Sequence, residues 1–246
     1  MVLKSDDLDK IAQNYHLNTE IKDKFIEDIG QQHSFKWLLK NLGPTTNRVL
    51  ELGYGDGIIT QNLVDSGYQP HVVEGASSLV HVAQKKHGSK ITIDHGMFES
   101  FKPNARYHRI IASHVLEHVD DPRAMMRLLG GWLEPHEGRI LILVPNSESI
   151  HRRLAVLMGL QPRLDSLGAR DLIVGHQRVY NVSSLCEDVI SSGFKIESVQ
   201  GFFLKTLPNS MMLGYTPELL EALHSVSDGL PAELCANIGV VARLDK

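Results

Sequence analysis

Val49-Leu50-Glu51-Leu52-Gly53-Tyr54-Gly55-Asp56-Gly57 is the stretch that decides the fold of this chain. Apolar residues run into an acid, and glycines then follow at every second position. The pattern predicts a buried strand ending in a tight turn, with a helix opening at Ile58-Ile59-Thr60-Gln61-Asn62-Leu63-Val64. Glycines in such a turn permit positive φ and let a ligand approach bare backbone. The helix N-terminus adds unpaired N–H groups beside them.

Outward from this stretch, strands are expected near 48–53, 71–75, 90–94, 109–113 and 138–144, with helices near 57–66, 77–87 and 122–134. That alternation implies a parallel sheet covered on both faces. Ahead of it, Ile21, Phe25, Ile29, Phe35, Leu38 and Leu39 fall at helical spacing, so one or two helices precede the sheet and end at Leu42-Gly43-Pro44. After Pro145 the rhythm breaks. Residues 147–180 offer no strand, and a connection this long inside a domain usually has a function, often as a lid. A helix near 183–192, a strand near 194–203 and a last apolar strand near 234–244 complete the pattern.

The spacing E-x-G-x-G-x-G differs from the G-x-G-x-x-G turn that places a pyrophosphate on a helix N-terminus. Glu51 stands two residues before the first glycine, where it would repel a pyrophosphate but suits a cationic amine. The strand His71-Val72-Val73-Glu74-Gly75 ends in a second carboxylate about 20 residues on, placed to accept bonds from ribose hydroxyls. A cofactor with a ribose, a positive centre and no phosphate fits both acids, and S-adenosylmethionine is that molecule.

With these residues the chain resembles the class I S-adenosylmethionine-dependent methyltransferases. Glu51–Gly57 matches the family's first motif and Val73-Glu74-Gly75 its acidic second strand. Ile93-Asp94-His95-Gly96-Met97-Phe98-Glu99 is similar to the loop that flanks adenine, Ile110–Val119 to the fourth strand and its exit, and Gly138–Asn146 to the fifth. The five motifs occur in the family's order. The resemblance implies an α/β, Rossmann-like, doubly wound seven-stranded sheet whose final strand runs antiparallel. It has an N-terminal helical cap (1–45), a cofactor-binding core (46–146), a substrate lid inserted before the sixth strand (147–180) and a C-terminal part of the core (181–246), all in one domain. It also implies that Glu51, Gly53, Gly55 and Gly57 form the cofactor turn and that Glu74 with Gly75 holds the ribose. Met97 and Phe98 would border adenine, while Ser113 and His114 line the methionine part. Two positions depart from the family: Met97 and His108 stand where acids are usual.

Composition bounds the rest. The 246 residues carry a formal net charge of −4, with 42% hydrophobic and 22% charged residues, as in ordinary globular enzymes. That balance gives no global field for nucleic acid. No stretch approaches the roughly 18 apolar residues of a membrane span, and Met1–Asp7 does not read as a signal peptide. A cytoplasmic protein without stable membrane insertion is expected, with a homodimer left open. Cys186 and Cys235 form no metal or redox motif.

Methyl transfer needs positioning and a group to handle the acceptor's proton. His118, about one helical turn beyond His114, suits a general base by its ordinary pKa. The alternative is that Glu117 and His118 only cap the turn. His114-Val115-Leu116-Glu117-His118 also fits H-x-x-E-H, a zinc-peptidase pattern. That chemistry needs a long helix, and Asp120-Asp121-Pro122 follows too soon, so no metal is expected. In Gly175-His176-Gln177-Arg178-Val179-Tyr180, an extended segment would place His176, Arg178 and Tyr180 on one side. His176 becomes a second candidate base, and Arg178 and Tyr180 become substrate contacts; a packed Tyr180 and an ion-paired Arg178 are the bland alternative. The lid holds Arg152, Arg153, Arg163, Arg170 and Arg178 but no lysine. Guanidinium groups recognise phosphate and carboxylate in two-point fashion, so Arg152 joins the substrate contacts and an anionic acceptor is expected.

The expected activity is transfer of a methyl group from S-adenosylmethionine to a hydroxyl, less readily an amine, of a small anionic molecule such as a sugar or sugar-nucleotide derivative. S-adenosylhomocysteine would be the product. A quinone or lipid-intermediate O-methyltransferase, and a non-catalytic S-adenosylmethionine-binding protein, are the alternatives.

Overall fold

The computed structural model describes residues 5–245. Met1–Lys4, the first residues of the expected cap, and Lys246 lie outside the described residues. One sheet contains β1 (Val49–Leu52), β2 (His71–Glu74), β3 (Thr92–His95), β4 (Arg109–Ser113), β5 (Arg139–Pro145), β6 (Phe194–Phe202) and β7 (Asn237–Leu244). Its order is β3-β2-β1-β4-β5-β7-β6, parallel throughout except for β7, which is antiparallel to both β5 and β6. The expected seven strands are all present, each within about three residues of its expected bounds.

The helices are α1 (Ser5–Ile11), α2 (Lys24–Leu42), α3 (Ile58–Asp65), α4 (Ser77–His87), α5 (Pro122–Trp132), α6 (Ile150–Leu157), α7 (Ala169–Ile173), α8 (Val182–Ser191) and α9 (Pro217–Ser227). Strand alternation divides the core between two faces. In β4, Ile110 and Ala112 pack with Met126, Leu129 and Trp132 of α5 and Leu185 and Val189 of α8. Ile111 turns the other way, toward Trp37, Leu38 and Leu42 of α2 and Ile59 and Leu63 of α3. Each fully buried Leu or Ile contributes about 1.5–3 kcal/mol relative to an exposed one. Local signals start the helices where packing needs them. Asp121 accepts from the Ala124 N–H at 2.9 Å ahead of Pro122, and Asn181 accepts from the Ser184 N–H at 2.8 Å.

Two excursions from this frame build the site. The chain leaves β5 at Asn146 and returns at Tyr180, where the two residues form a parallel bridge and the Ser147 N–H donates to the Tyr180 carbonyl at 2.7 Å. Between them lie α6 and α7, so the expected lid is an excursion pinned at its base. The second, between β6 and β7, carries α9, which packs on α2 through stacked His33 and His224 rings 4.7 Å apart. No element is expected there from the sequence, yet Thr216 ahead of Pro217 starts the helix, its hydroxyl accepting from the Leu219 N–H at 3.3 Å.

Candidate active site

Strand order reverses at β1, with β2 on one side and β4 on the other, and ligands of open α/β sheets bind in the crevice beyond such a point. A cavity of about 1350 Å³ opens there. Small-ligand pockets span roughly 300–1,000 Å³, so this one has room for a cofactor and an acceptor together.

At its floor, the turn after β1 runs through Gly53, Gly55 and Gly57 at φ of 77°, 53° and 71°. A Cβ on Gly57 would sit 2.4 Å from the Tyr54 ring, whereas one on Gly53 would meet nothing within 4 Å. Gly57 is therefore required by packing, and Gly53 presents bare backbone to the cavity. Glu74 accepts from the Tyr54 N–H and the Ala76 N–H, both at 2.7 Å, which fixes its carboxylate at the cavity wall. Glu51, 3% exposed, accepts from the Thr60 hydroxyl at 2.7 Å. Burial pushes its carboxyl up to about 8 against the pull of Thr60, and Glu74 adds to the rise.

The N-terminal cap closes over this turn. A Cβ on Gly75 would lie 2.3 Å from Leu8 of α1, and Asp9 caps α4 by accepting from the Ser78 N–H at 2.9 Å. Asp56 in the glycine turn accepts from His16 Nδ1 at 3.2 Å and pairs with Lys24. Glu27 of α2 joins the cap to both excursions: it receives the Tyr15 hydroxyl, Asn209 Nδ2 at 2.8 Å and Arg170 Nη1 at 3.4 Å. No local pattern marks Glu27, Asn209 or Lys205, whose neighbours in space are remote in the chain.

Of the expected cofactor residues, Glu51, Gly53, Gly55, Glu74, Gly75, Met97, Phe98, Ser113 and His114 all line this one cavity, as do His118, His176 and Arg152; Gly57 supports the turn from outside it. His114 adopts a left-handed φ of 55° and directs Nδ1 to Glu117 Oε1 at 3.2 Å. Burial pulls its pKa down, but the bond to Glu117 outweighs burial and leaves it raised. His118 is pushed down to about 4, chiefly by burial. Its pKa therefore lies below the ordinary histidine value expected from the sequence. His176 is oriented from behind, with Nδ1 2.9 Å from Asp171 Oδ1.

Arg178 and Tyr180 lie outside the cavity lining. Arg178 donates to the carbonyls of Leu116, Val119 and Asp120, so it holds the turn after β4. Tyr180 is 3% exposed and bonds Asp188 Oδ2 at 3.1 Å. Both were expected to touch substrate, but the chain bends at Gly175 (φ 82°) and the segment packs beneath the site. The remaining lid arginines are also occupied: Arg152 by Asp171 at 2.8 Å, Arg153 by Glu148 at 3.9 Å, Arg163 by Asp165 at 2.9 Å and Arg170 by Asp23 at 2.5 Å. Lys205 also faces the cavity, and burial draws its ammonium down to about 8 against the pull of Glu27. It comes from the second excursion.

A reversed strand order, a glycine turn open at Gly53 and the fixed Glu74 carboxylate beside it suit a ribose-bearing cofactor at this crevice. The fold is that of a class I S-adenosylmethionine-dependent methyltransferase. A family model described as a methyltransferase domain matches residues 24–199, and the chain belongs to that family. Similar folds recur at low identity. An S-adenosylmethionine-dependent methyltransferase of Thermotoga maritima, described as a possible histamine N-methyltransferase, is 16% identical with a TM-score of 0.67, covering 96% of this chain and 99% of that one. One from Mesorhizobium loti is 18% identical with a TM-score of 0.60, covering 86% and 97%. The magnesium protoporphyrin IX methyltransferase of Synechocystis, solved with bound S-adenosylhomocysteine, is 15% identical with a TM-score of 0.60, covering 93% and 88%.

Proposed function

We propose that this enzyme methylates a hydroxyl of a small molecule carrying an anionic group. S-adenosylmethionine, when bound, supplies an electrophilic methyl on a sulfonium. Glu74 would hold the ribose hydroxyls, Glu51 the cationic end, and the Gly53–Gly55 backbone would let the cofactor settle against the turn. The rest of the cavity, between α6, α7 and Lys205, would take the acceptor, with the His118–His176 pair facing its reacting oxygen.

The observation that carries the anionic group is Lys205. The lid arginines already have carboxylate or carbonyl partners, whereas the Lys205 ammonium meets the cavity at a depressed pKa that an incoming anion would restore. The test is methyl transfer to matched acceptor pairs, alcohols with and without a carboxylate or phosphate. The anionic member is expected to show the lower KM, and Lys205→Met to raise that KM at least tenfold while the cofactor Kd is unchanged. Equal KM values within pairs would sink the reading.

A second reading, a lipid-linked or quinone acceptor, draws on α6 and α7. Leu157, Met158, Leu160, Leu172 and Ile173 are all large, apolar and exposed, and Ile173 also lines the cavity. No helix among the described residues is long and apolar enough to cross a membrane. Flotation with phospholipid vesicles, lost on Leu157→Ser with Leu172→Ser, would favour this reading.

A further inference from the structure

Glu117, His118 and His176 each present one ligand atom, and these atoms lie within 4.8 Å of one another. The turn after β4 and the return from α7 are stitched together to bring this about. The Gln177 N–H donates to the Glu117 carbonyl at 2.8 Å, and Gln177 Nε2 to the His118 carbonyl at 2.5 Å. The two imidazoles stand edge to face with centroids 4.7 Å apart, and His176 Nε2 is 3.9 Å from Glu117 Oε1.

Glu117 is fully buried, and its Oε2 has no hydrogen-bond partner, although Oε1 is taken by His114. An orphaned oxygen on a buried carboxylate is costly and calls for a cation or donor. The second observation is how the histidines are held. His176 Nδ1 bonds Asp171, which is itself fixed by Arg152 at 2.8 Å and the Gly168 N–H at 2.8 Å. His118 is held through its backbone, its N–H donating to the Val115 carbonyl at 2.9 Å. An outer nitrogen bonded to a carboxylate, as in His176, leaves the inner one unprotonated, and metal-binding histidines are usually set this way.

We propose that Glu117, His118 and His176 bind one divalent transition-metal ion of the zinc class, with a remaining coordination position open to the cavity. Two nitrogens and one carboxylate suit zinc or a neighbouring first-row ion, whereas magnesium and calcium want oxygen sets. Bonds of about 2.0 Å at tetrahedral angles put ligand atoms about 3.3 Å apart, so modest side-chain rotation closes the triad. The ion's role deepens the proposed acceptor reading and rests on it. An acceptor hydroxyl in the open position would lose its proton to water more readily. Its oxygen would then bond the methyl carbon as the carbon–sulfur bond breaks, the electron pair passing to sulfur. His176 would then serve as a ligand, with proton loss promoted by the ion.

The test is titration of metal-stripped full-length protein with Co²⁺, followed by visible absorbance, then displacement by Zn²⁺. One equivalent is expected to bind with the bands of a four- or five-coordinate site. His176→Ala and Glu117→Gln should weaken binding at least tenfold, and Asp171→Asn about 10–100-fold. His81→Ala, on the exposed face of α4, should leave binding unchanged. If Glu117→Gln does not fold, the His176 and Asp171 variants still decide the matter. Absence of saturable Co²⁺ binding, or binding unchanged in His176→Ala and Asp171→Asn, overturns the site. Calorimetry with S-adenosylmethionine on the same protein separates the two ideas. Cofactor binding without cobalt binding ends the metal proposal alone, and cobalt binding without cofactor binding ends the acceptor reading alone.

Discussion

Glu74 turns one carboxylate oxygen to the Tyr54 N–H and the other to the Ala76 N–H, and in doing so ties the glycine turn to the start of α4. Each oxygen keeps a lone pair for a ribose hydroxyl. Glu74→Ala is therefore expected to weaken S-adenosylmethionine binding by about 1–3 kcal/mol, the usual range for hydrogen bonds to a charged group. Calorimetric titration of the folded variant measures this, and an unchanged Kd would remove Glu74 from the ribose site. This residue was legible in the sequence because strand end, acid and spacing are all local. Lys205 was not. Nothing near Leu204-Lys205-Thr206 marks it, and its place in the cavity depends on a chain excursion that closes only in three dimensions.

The β4–α5 turn shows the same division between local and distant information. Its sequence marks the strand, the histidines and a helix beginning near residue 122. Arg178, more than fifty residues later, holds it by donating to three of its carbonyls, and no pattern near either segment announces that. The periodicity of 20–40 foretold α2, but α1 rests on Gly75 through Leu8, a contact between remote parts of the chain. Arg178→Ala should free those carbonyls, costing about 1–3 kcal/mol of stability and loosening the seat of His118. Thermal unfolding is expected to show a lower Tm, with kcat reduced as much as kcat/KM. A substrate contact would give another result, a raised KM at unchanged Tm.

Across the whole molecule, buried ionisable groups make stability depend on pH in a way that should identify the cofactor pocket. His118 and His224 are pushed down to about 4 and about 3, so their contributions are lost as pH falls below the ordinary histidine range and are nearly complete only about a unit above pH 6.5. Lys205, drawn down to about 8, costs stability below that pH, and the cost is relieved only as pH rises toward 10.5. Between pH 6.5 and 8 the main titration left is Glu51, raised to about 8 from 4.5. Its folded form holds a proton that the unfolded chain has already released, so stability falls as pH rises through this window. His114, also raised, acts in the same direction. The apo protein is thus expected to lose Tm from pH 6.5 to 8, and Glu51→Gln to remove most of that slope. A cofactor whose cationic end faces Glu51 favours the charged carboxylate, so S-adenosylmethionine should bind more tightly, and raise Tm more, as pH climbs through the same window. If the ligand-induced Tm shift is flat from pH 6.5 to 8, Glu51 does not face the cationic end and serves only to hold Thr60.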